Sequence, residues 1–123
     1  MNVVKNSNKN RADSFRIAFS GLSHAIGSQR NFQIQIVIGI IVLTAAWWLD
    51  FTRIEWLVLI LTIALVLAAE LLNTVVEVVI DLAVKEKLLP DAKIAKDVSA
   101  AAVLLISAFS VIVGMILFLP HLV

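Results

Sequence analysis

Three long apolar runs divide the chain, and each predicts a helix that crosses a membrane. The first, over 32–49, holds no charged residue. At a rise of 1.5 Å per residue, about 18 residues just span a hydrocarbon core of roughly 30 Å. The second predicted helix covers 54–84 and the third covers 97–119. Because about 20 residues suffice to cross a membrane, the second helix is expected to project beyond it from about Thr74 onwards.

A shorter helix is predicted before the first run, over 12–28. Its apolar residues recur at helical spacing, while Arg16, Ser20 and His24 occupy the other side. An amphipathic helix with basic residues beside a membrane span is typical of a helix that lies in the cytoplasmic membrane interface. A soluble helix that packs on a partner is the alternative. The apolar residues are Phe15, Ala18, Phe19, Leu22, Ala25 and Ile26.

Two prolines mark expected helix boundaries. Pro90 lies in the segment KEKLLPDAK (85–93), where it is expected to break the helical pattern and leave a loop. Pro120 is expected to end the third membrane helix. The sequence therefore predicts a single-domain, all-α membrane protein over 1–123, with three transmembrane helices and an N-terminal amphipathic surface helix.

The composition agrees with a membrane protein and excludes an ordinary soluble domain. Hydrophobic residues make up 61% of the chain, whereas soluble domains contain about 45 to 50%. A net charge of +1 gives no indication of nucleic-acid binding. Because the chain has no cysteine, disulfides and zinc-thiolate sites are excluded. Any metal is therefore expected to be a hard cation held by oxygen.

The positions of the basic residues predict the orientation in the membrane. Nine of the ten precede the first apolar run or lie between the second and third, and only Arg53 lies on the other side. The positive-inside rule therefore places the N-terminus and the second loop in the cytoplasm of a multi-pass protein of the cell (inner) membrane. The nine are Lys5, Lys9, Arg11, Arg16, Arg30, Lys85, Lys87, Lys93 and Lys96.

The second predicted helix carries a polar stripe, which consists of Glu70, Asn73, Glu77 and Asp81. Their spacing places all four within about 80° on one side of a helix. An ionisable side chain costs about 2.5 to 3.5 kcal/mol at the centre of a span and less near its edge, and such residues usually serve a function. The structural alternatives are polar contacts between helices and, for Asp81, a helix that emerges into water.

A second polar cluster begins the third predicted helix. Lys93, Lys96 and Asp97 lie within about 100° of one another, at the depth expected for Glu77 and Asp81. Lysines at a cytoplasmic helix end are also expected from topology alone. Together the clusters supply carboxylates that suit Mg²⁺, a lysine that suits phosphate and a carboxylate that suits a general base. Phosphoryl transfer requires these same groups.

Small residues on the third predicted helix favour close packing. Ser107, Ser110 and Gly114 share one face, and Ser110 with Gly114 forms a small-xxx-small pair that lets helix backbones approach. Carboxylates inside a membrane also need protein neighbours. A homo-oligomer is therefore expected, although no sequence feature by itself fixes the number of subunits.

The polar segments resemble the signature of a known family. AELLNTVVEVVIDL (69–82) and AKIAKDVSAAAVLL (92–105) closely resemble the small prokaryotic diacylglycerol kinases, which include undecaprenol kinases. The resemblance covers nearly the whole chain, including RNF before the first span. It implies an integral-membrane homotrimer that uses Mg-ATP to phosphorylate a lipid hydroxyl near the cytoplasmic interface. Diacylglycerol is the first candidate acceptor, and undecaprenol is the alternative.

The resemblance also implies roles for individual residues. Glu70 matches the general base, which also contacts the lipid substrate, and Glu77 matches a metal-binding glutamate. Gln29 stands where relatives often carry a second metal-binding glutamate, and its neutral amide is a poorer ligand for a hard cation. The remaining matches are Asn73, Asp81, Glu86, Lys96 and Asp97 at the ATP site, and Ser99 and Phe15 at the lipid site.

Two other classes of function remain open from the sequence. A small proton- or cation-coupled transporter would use Glu70 and Glu77 as relay sites inside an oligomer. A non-catalytic oligomeric membrane protein would account for Gln29 as a sign of lost activity. Relatives also often carry Tyr-His near Leu88 and Leu89, where this chain is apolar, so the role of that loop in nucleotide binding is open.

Overall fold

The computed structural model describes residues 10–85, 87 and 89–123, and these form four helices. In chain order, α1 covers Arg11–Ser28, α2 covers Arg30–Trp48, α3 covers Arg53–Val84 and α4 covers Pro90–Leu122. Within the described part of the chain, α2, α3 and α4 are long and apolar enough to cross a membrane. The predicted all-α class with three membrane-spanning helices is confirmed.

Helix α4 is longer at both ends than the predicted helix over 97–119. It begins at Pro90, so the expectation of a loop as far as residue 93 was wrong. Proline is well tolerated in the first turn of a helix, where its missing N–H would have no helical partner. The expectation that Pro120 ends the helix was also wrong, because α4 continues to Leu122. Contacts of His121 with α3 hold this last turn in place.

Those contacts belong to an aromatic cluster at the end of the bundle where α2 meets α3. The ring of Phe51 stacks on His121, with centroids 4.8 Å apart, and lies against Phe118 at the same distance. His121 Nε2 lies 2.7 Å from Glu55 Oε2. The Glu55 carboxylate also caps α3, since its Oε1 accepts from the backbone N–H of Thr52 at 2.9 Å.

The buried apolar core lies beside this aromatic cluster. It consists of Ala46, Phe51, Leu59 and Leu117, which come from α2, the turn after it, α3 and α4. Helices α3 and α4 make the most extensive contact, followed by α2 with α3. Most other large apolar side chains are exposed in the single chain. Such a surface suits hydrocarbon or neighbouring helices better than water.

A cavity of about 340 Å³ lies between α2, α3 and α4. Its walls are apolar apart from a few small or polar side chains, among them Gln35, Ser107 and Ser110. Ser110 Oγ donates to the backbone oxygen of Ser107 at 2.6 Å, so its hydroxyl is paired within α4. At Gly39, α2 packs against a side chain of α3, because a Cβ there would lie 3.4 Å from Ile63 Cγ2.

Helix α1 packs on α2 through its C-terminal part. Ala25 is buried, while Phe15 and Phe19 are 66% and 67% exposed. Gln29 separates the helices in an extended conformation (φ −100°, ψ 105°), and Gln33 Nε2 donates back to the Ile26 oxygen at 2.8 Å. The interfacial position of α1 stays a prediction, as do the membrane orientation and the homo-oligomer.

Candidate functional site

The predicted polar stripe lies on the C-terminal half of α3, and its burial falls steadily along the helix. Glu70 and Asn73 are 5% and 8% exposed, Glu77 is half-buried, and Asp81 is exposed. Because α3 is one uninterrupted helix, all four side chains share a face as the spacing predicts. Glu70 and Asn73 are the only buried polar or charged side chains among the described residues.

The carboxylate of Glu70 accepts one long hydrogen bond. Its donor is Nε2 of Gln35 on α2, 3.3 Å from Glu70 Oε2. The nearby Thr74 hydroxyl donates to the backbone oxygen of Glu70 at 3.1 Å, not to the carboxylate. A carboxylate has about four acceptor positions. Glu70 therefore keeps most of its capacity to accept a proton or a hydrogen bond from a bound molecule.

Asn73 and Glu77 form the next contact along the stripe. Asn73 Nδ2 donates to Glu77 Oε1 at 3.2 Å, and the amide oxygen Oδ1 of Asn73 is buried with no partner among the described residues. A buried acceptor without a donor is costly and unusual in native proteins. Its presence next to a half-buried carboxylate gives the site two kinds of oxygen that suit a hard cation.

These oxygens fit a cation that arrives with its own ligands. Among the described residues, no group of three or more His, Cys, Asp or Glu side chains is placed to hold a metal ion. Mg²⁺ is commonly bound through one or two carboxylates plus substrate phosphates and water, not through a full protein cage. Glu77 and Asn73 therefore match what a nucleotide-bound Mg²⁺ needs from the protein.

Lys96 connects α4 to the exposed end of the stripe. Its Nζ lies 3.0 Å from Asp81 Oδ1, and the lysine side chain is 35% exposed. Lys96 precedes the uncharged run that begins at Val98. The hydrogen bond to Asp81 and the charges of Asp81 and Glu77 raise the pKa of Lys96 above its ordinary value. Lys96 therefore stays cationic at neutral pH and can contact an anion.

Lys96 and Asp97, which the resemblance assigns to the ATP site, contact different side chains in the structure. Asp97 pairs with Lys93 at 2.6 Å, one turn earlier on α4, and both side chains are more than half exposed. Ion pairs as exposed as these contribute little to stability. The pair of Lys93 and Asp97 can therefore open at small cost.

The other predicted site residues lie on three different elements. Gln29 is half-buried at the break between α1 and α2, Ser99 is half-buried on α4, and Phe15 is exposed on α1. Within the described part of the chain, neither Gln29 nor Ser99 hydrogen-bonds to the stripe. Glu86 lies outside the described residues. Roles for these four residues stay predictions.

Gln35 is the site residue that the sequence reasoning missed. It lies in the apolar run of the first span, where Gln33 and Gln35 are the only amides after Phe32. An amide within a membrane span needs a partner as much as a carboxylate does, because neither can be hydrated there. That signal was present in the sequence and would have indicated that Gln35 needs a polar partner, but it does not identify Glu70 as that partner.

Comparison with known proteins places these residues in a family. Residues 16–118 match the family described as prokaryotic diacylglycerol kinase. A diacylglycerol kinase of Synechocystis sp. is 50% identical over 109 residues, which cover 89% of this chain and 62% of that protein. An undecaprenol kinase of Bacillus subtilis is 37% identical over 109 residues, 89% of this chain and 88% of that protein. The chain thus spans less than two thirds of the Synechocystis relative.

Proposed function

The chain belongs to the prokaryotic diacylglycerol kinase family, and on this premise we propose that it is a membrane lipid kinase. The proposed reaction transfers the γ-phosphate of ATP to the hydroxyl of a membrane lipid. Diacylglycerol is the first candidate acceptor and would give phosphatidic acid, because the relative that is 50% identical is named diacylglycerol kinase. Undecaprenol is the second acceptor, supported by the 37% identical relative.

The observation that carries the proposal is the under-satisfied carboxylate of Glu70. At 5% exposure, the bond of 3.3 Å from Gln35 is the only side-chain hydrogen bond that it accepts from the described residues. In the proposed reaction, Glu70 takes the proton of the lipid hydroxyl while the oxygen of that hydroxyl forms a bond to the γ-phosphorus. The bond from that phosphorus to the bridging oxygen breaks, and ADP leaves. A positioned base of this kind contributes about 10² to 10⁴ in rate.

In this proposal the nucleotide binds at the exposed end of the stripe, near Glu77 and Asp81. Glu77, with the unpartnered oxygen of Asn73 and with Gln29, would hold Mg²⁺, which supplies positive charge against the phosphate oxygens. Lys96 exchanges Asp81 for a phosphate oxygen, a step made easy by the partial exposure of their contact. Asp81, Asp97 and Glu86 complete the proposed nucleotide site.

The proposal includes the surroundings of the reaction. Phe15 and Ser99 contact the lipid, and α1 lies in the interface where the hydroxyl group enters. The active unit is a homotrimer in the cell (inner) membrane, with the N-terminus and the segment between α3 and α4 in the cytoplasm. The positions of nine of the ten basic residues support this orientation.

The test is phosphorylation of two acceptors side by side. Purified protein in lipid bilayers is given γ-labelled ATP, Mg²⁺ and either diacylglycerol or undecaprenol. Label is expected in phosphatidic acid for the first acceptor, and Glu70→Gln is expected to abolish it while the protein stays assembled. Label in neither lipid would contradict the proposal. In that case, ion flux across the bilayers would instead support the transporter.

A further inference from the structure

Among the described residues, Gln35 is the only side chain that hydrogen-bonds to the carboxylate of Glu70. We propose that Gln35 is a positioning residue for Glu70. Its amide nitrogen holds Glu70 Oε2, so the carboxylate keeps one orientation and presents Oε1 to the hydroxyl of the lipid. This inference rests on the proposed function, because it assumes that Glu70 is the base.

The contact between two helices makes this positioning rigid. Gln35 and Gly39 lie four residues apart on α2 and therefore share a face. Gly39 is buried, and a Cβ at this position would already touch Ile63 at 3.4 Å. The close approach of α2 to α3 brings the amide of Gln35 within hydrogen-bond distance of Glu70. A base held from a second rigid helix is better oriented than one held by its own helix alone.

Hydrogen-bond chemistry fixes which end of the amide faces the carboxylate. An ionised carboxylate only accepts hydrogen bonds, so the NH₂ group of Gln35 must point to it. The amide oxygen Oε1 then has no partner among the described residues, although it is buried. Leaving a buried acceptor unsatisfied is unfavourable and uncommon in native proteins. The unpaired oxygen of Gln35 therefore calls for an explanation beyond packing.

The unpartnered oxygen has a use in the proposed reaction. Gln35 also lines the cavity between α2, α3 and α4. Its Oε1 can accept a hydrogen bond from the incoming hydroxyl, and rotation of that hydroxyl about its C–O bond then turns its single proton to Glu70. The same side chain thus contacts both the base and the group from which the base takes its proton. This geometry makes Gln35 a residue that acts on the rate of the chemical step more than on nucleotide binding.

The experiment compares matched substitutions at two glutamines of α2. Gln35→Leu removes both ends of the amide, and Gln35→Glu keeps its size but replaces the donor with a second carboxylate. Gln33→Leu and Gln33→Glu make the same changes two positions away, at an exposed residue that bonds to the Ile26 oxygen. Each variant is assayed for kcat, for KM of Mg-ATP and for the pH dependence of kcat.

Gln35→Leu is expected to lower kcat by about 10- to 100-fold, the cost of a misplaced catalytic group, with KM for Mg-ATP unchanged. Gln35→Glu should lower kcat as well, because it replaces the donor to Glu70 with a second carboxylate. It also adds a titratable group at this position, so the pH profile of kcat for this variant should differ from that of the wild type. Both Gln33 variants should match the wild-type profile.

Two outcomes separate this inference from the proposed function. If Glu70→Gln is inactive but both Gln35 variants keep the wild-type kcat and pH profile, the positioning role is overturned and the lipid kinase stands. If Glu70→Gln remains active, the base assignment fails, and the positioning role fails with it. Should Gln35→Leu not fold, the isosteric Gln35→Glu decides the question alone.

Discussion

Two glutamates on α3 have opposite surroundings. Both oxygens of Glu55 are paired, one with the Thr52 N–H at 2.9 Å and the other with His121 at 2.7 Å. Glu70 is buried, whereas Glu55 is half-buried, yet within the described chain the Glu70 carboxylate accepts a single bond of 3.3 Å. Stability alone would favour the reverse, since a buried charge needs partners most.

The residues around the two glutamates differ in the same way. Beside Glu55, His121 stacks on Phe51 and contacts the carboxylate that caps α3. Beside Glu70, the amide oxygens of Gln35 and Asn73 are buried and have no partner in the described chain. Glu55 is therefore satisfied by contacts within the fold, whereas the polar groups around Glu70 keep unused acceptor positions in the described chain.

The largest expected effect comes from making the same substitution at both glutamates. Glu70→Gln should lower kcat for lipid phosphorylation by about 10³-fold, because it removes the base, and should leave the thermal midpoint nearly unchanged. Glu55→Gln should keep kcat within a factor of two but lower the thermal midpoint, since it weakens two paired contacts. Turnover assays and thermal melts in the same detergent check both. Equal losses of activity would remove the distinction.

The next effect concerns the metal. Glu77→Gln should raise the Mg²⁺ concentration needed for half-maximal turnover by about 10- to 100-fold, as expected when an important oxygen ligand is weakened. If Gln29 lies at the metal, Gln29→Glu should lower the Mg²⁺ concentration needed for half-maximal turnover. A Mg²⁺ titration of activity at fixed ATP measures both variants. An unchanged Mg²⁺ requirement in Gln29→Glu would remove Gln29 from the site and leave Glu77 in place.

A smaller effect is expected at the lysines of α4. Lys96→Met should raise KM for ATP by about tenfold, equivalent to about 1.4 kcal/mol of binding, because it removes a cation held beside the stripe by Asp81. Lys93→Met removes the same charge from an exposed pair and should change KM by less than a factor of two. Initial rates over a range of ATP concentrations distinguish them. Equal effects would indicate a general electrostatic attraction of ATP.

The smallest effect is expected at the aromatic cluster. His121→Phe keeps a ring against Phe51 but removes the contact with Glu55. The free energy of unfolding should fall by about 1 kcal/mol, the usual net value of one hydrogen bond, and kcat should stay at the wild-type value. A thermal melt paired with a phosphorylation assay tests this. A loss of activity without a loss of stability would show that the two ends of α3 are coupled.

Much of the fold could be predicted from the sequence because it depends on local patterns. Uninterrupted apolar runs predict the three long helices. The spacing of the four polar residues from Glu70 to Asp81 predicts that they share one face of α3. The start of α4 could not be predicted in this way. Pro90 interrupts a helix when it lies inside one but is well accommodated in the first turn, and sequence alone does not distinguish these positions.

In the candidate site, too, some features follow from the sequence and others only from the tertiary structure. The helical period by itself determined that Glu70, Asn73, Glu77 and Asp81 lie on one side of α3, since neighbours three and four residues apart face the same way in any α-helix. Only the tertiary structure decided that Gln35 holds Glu70 and that Lys96 pairs with Asp81, leaving Asp97 to Lys93. Contacts between helices depend on their relative position and on close approach at residues such as Gly39. No local pattern encodes that packing.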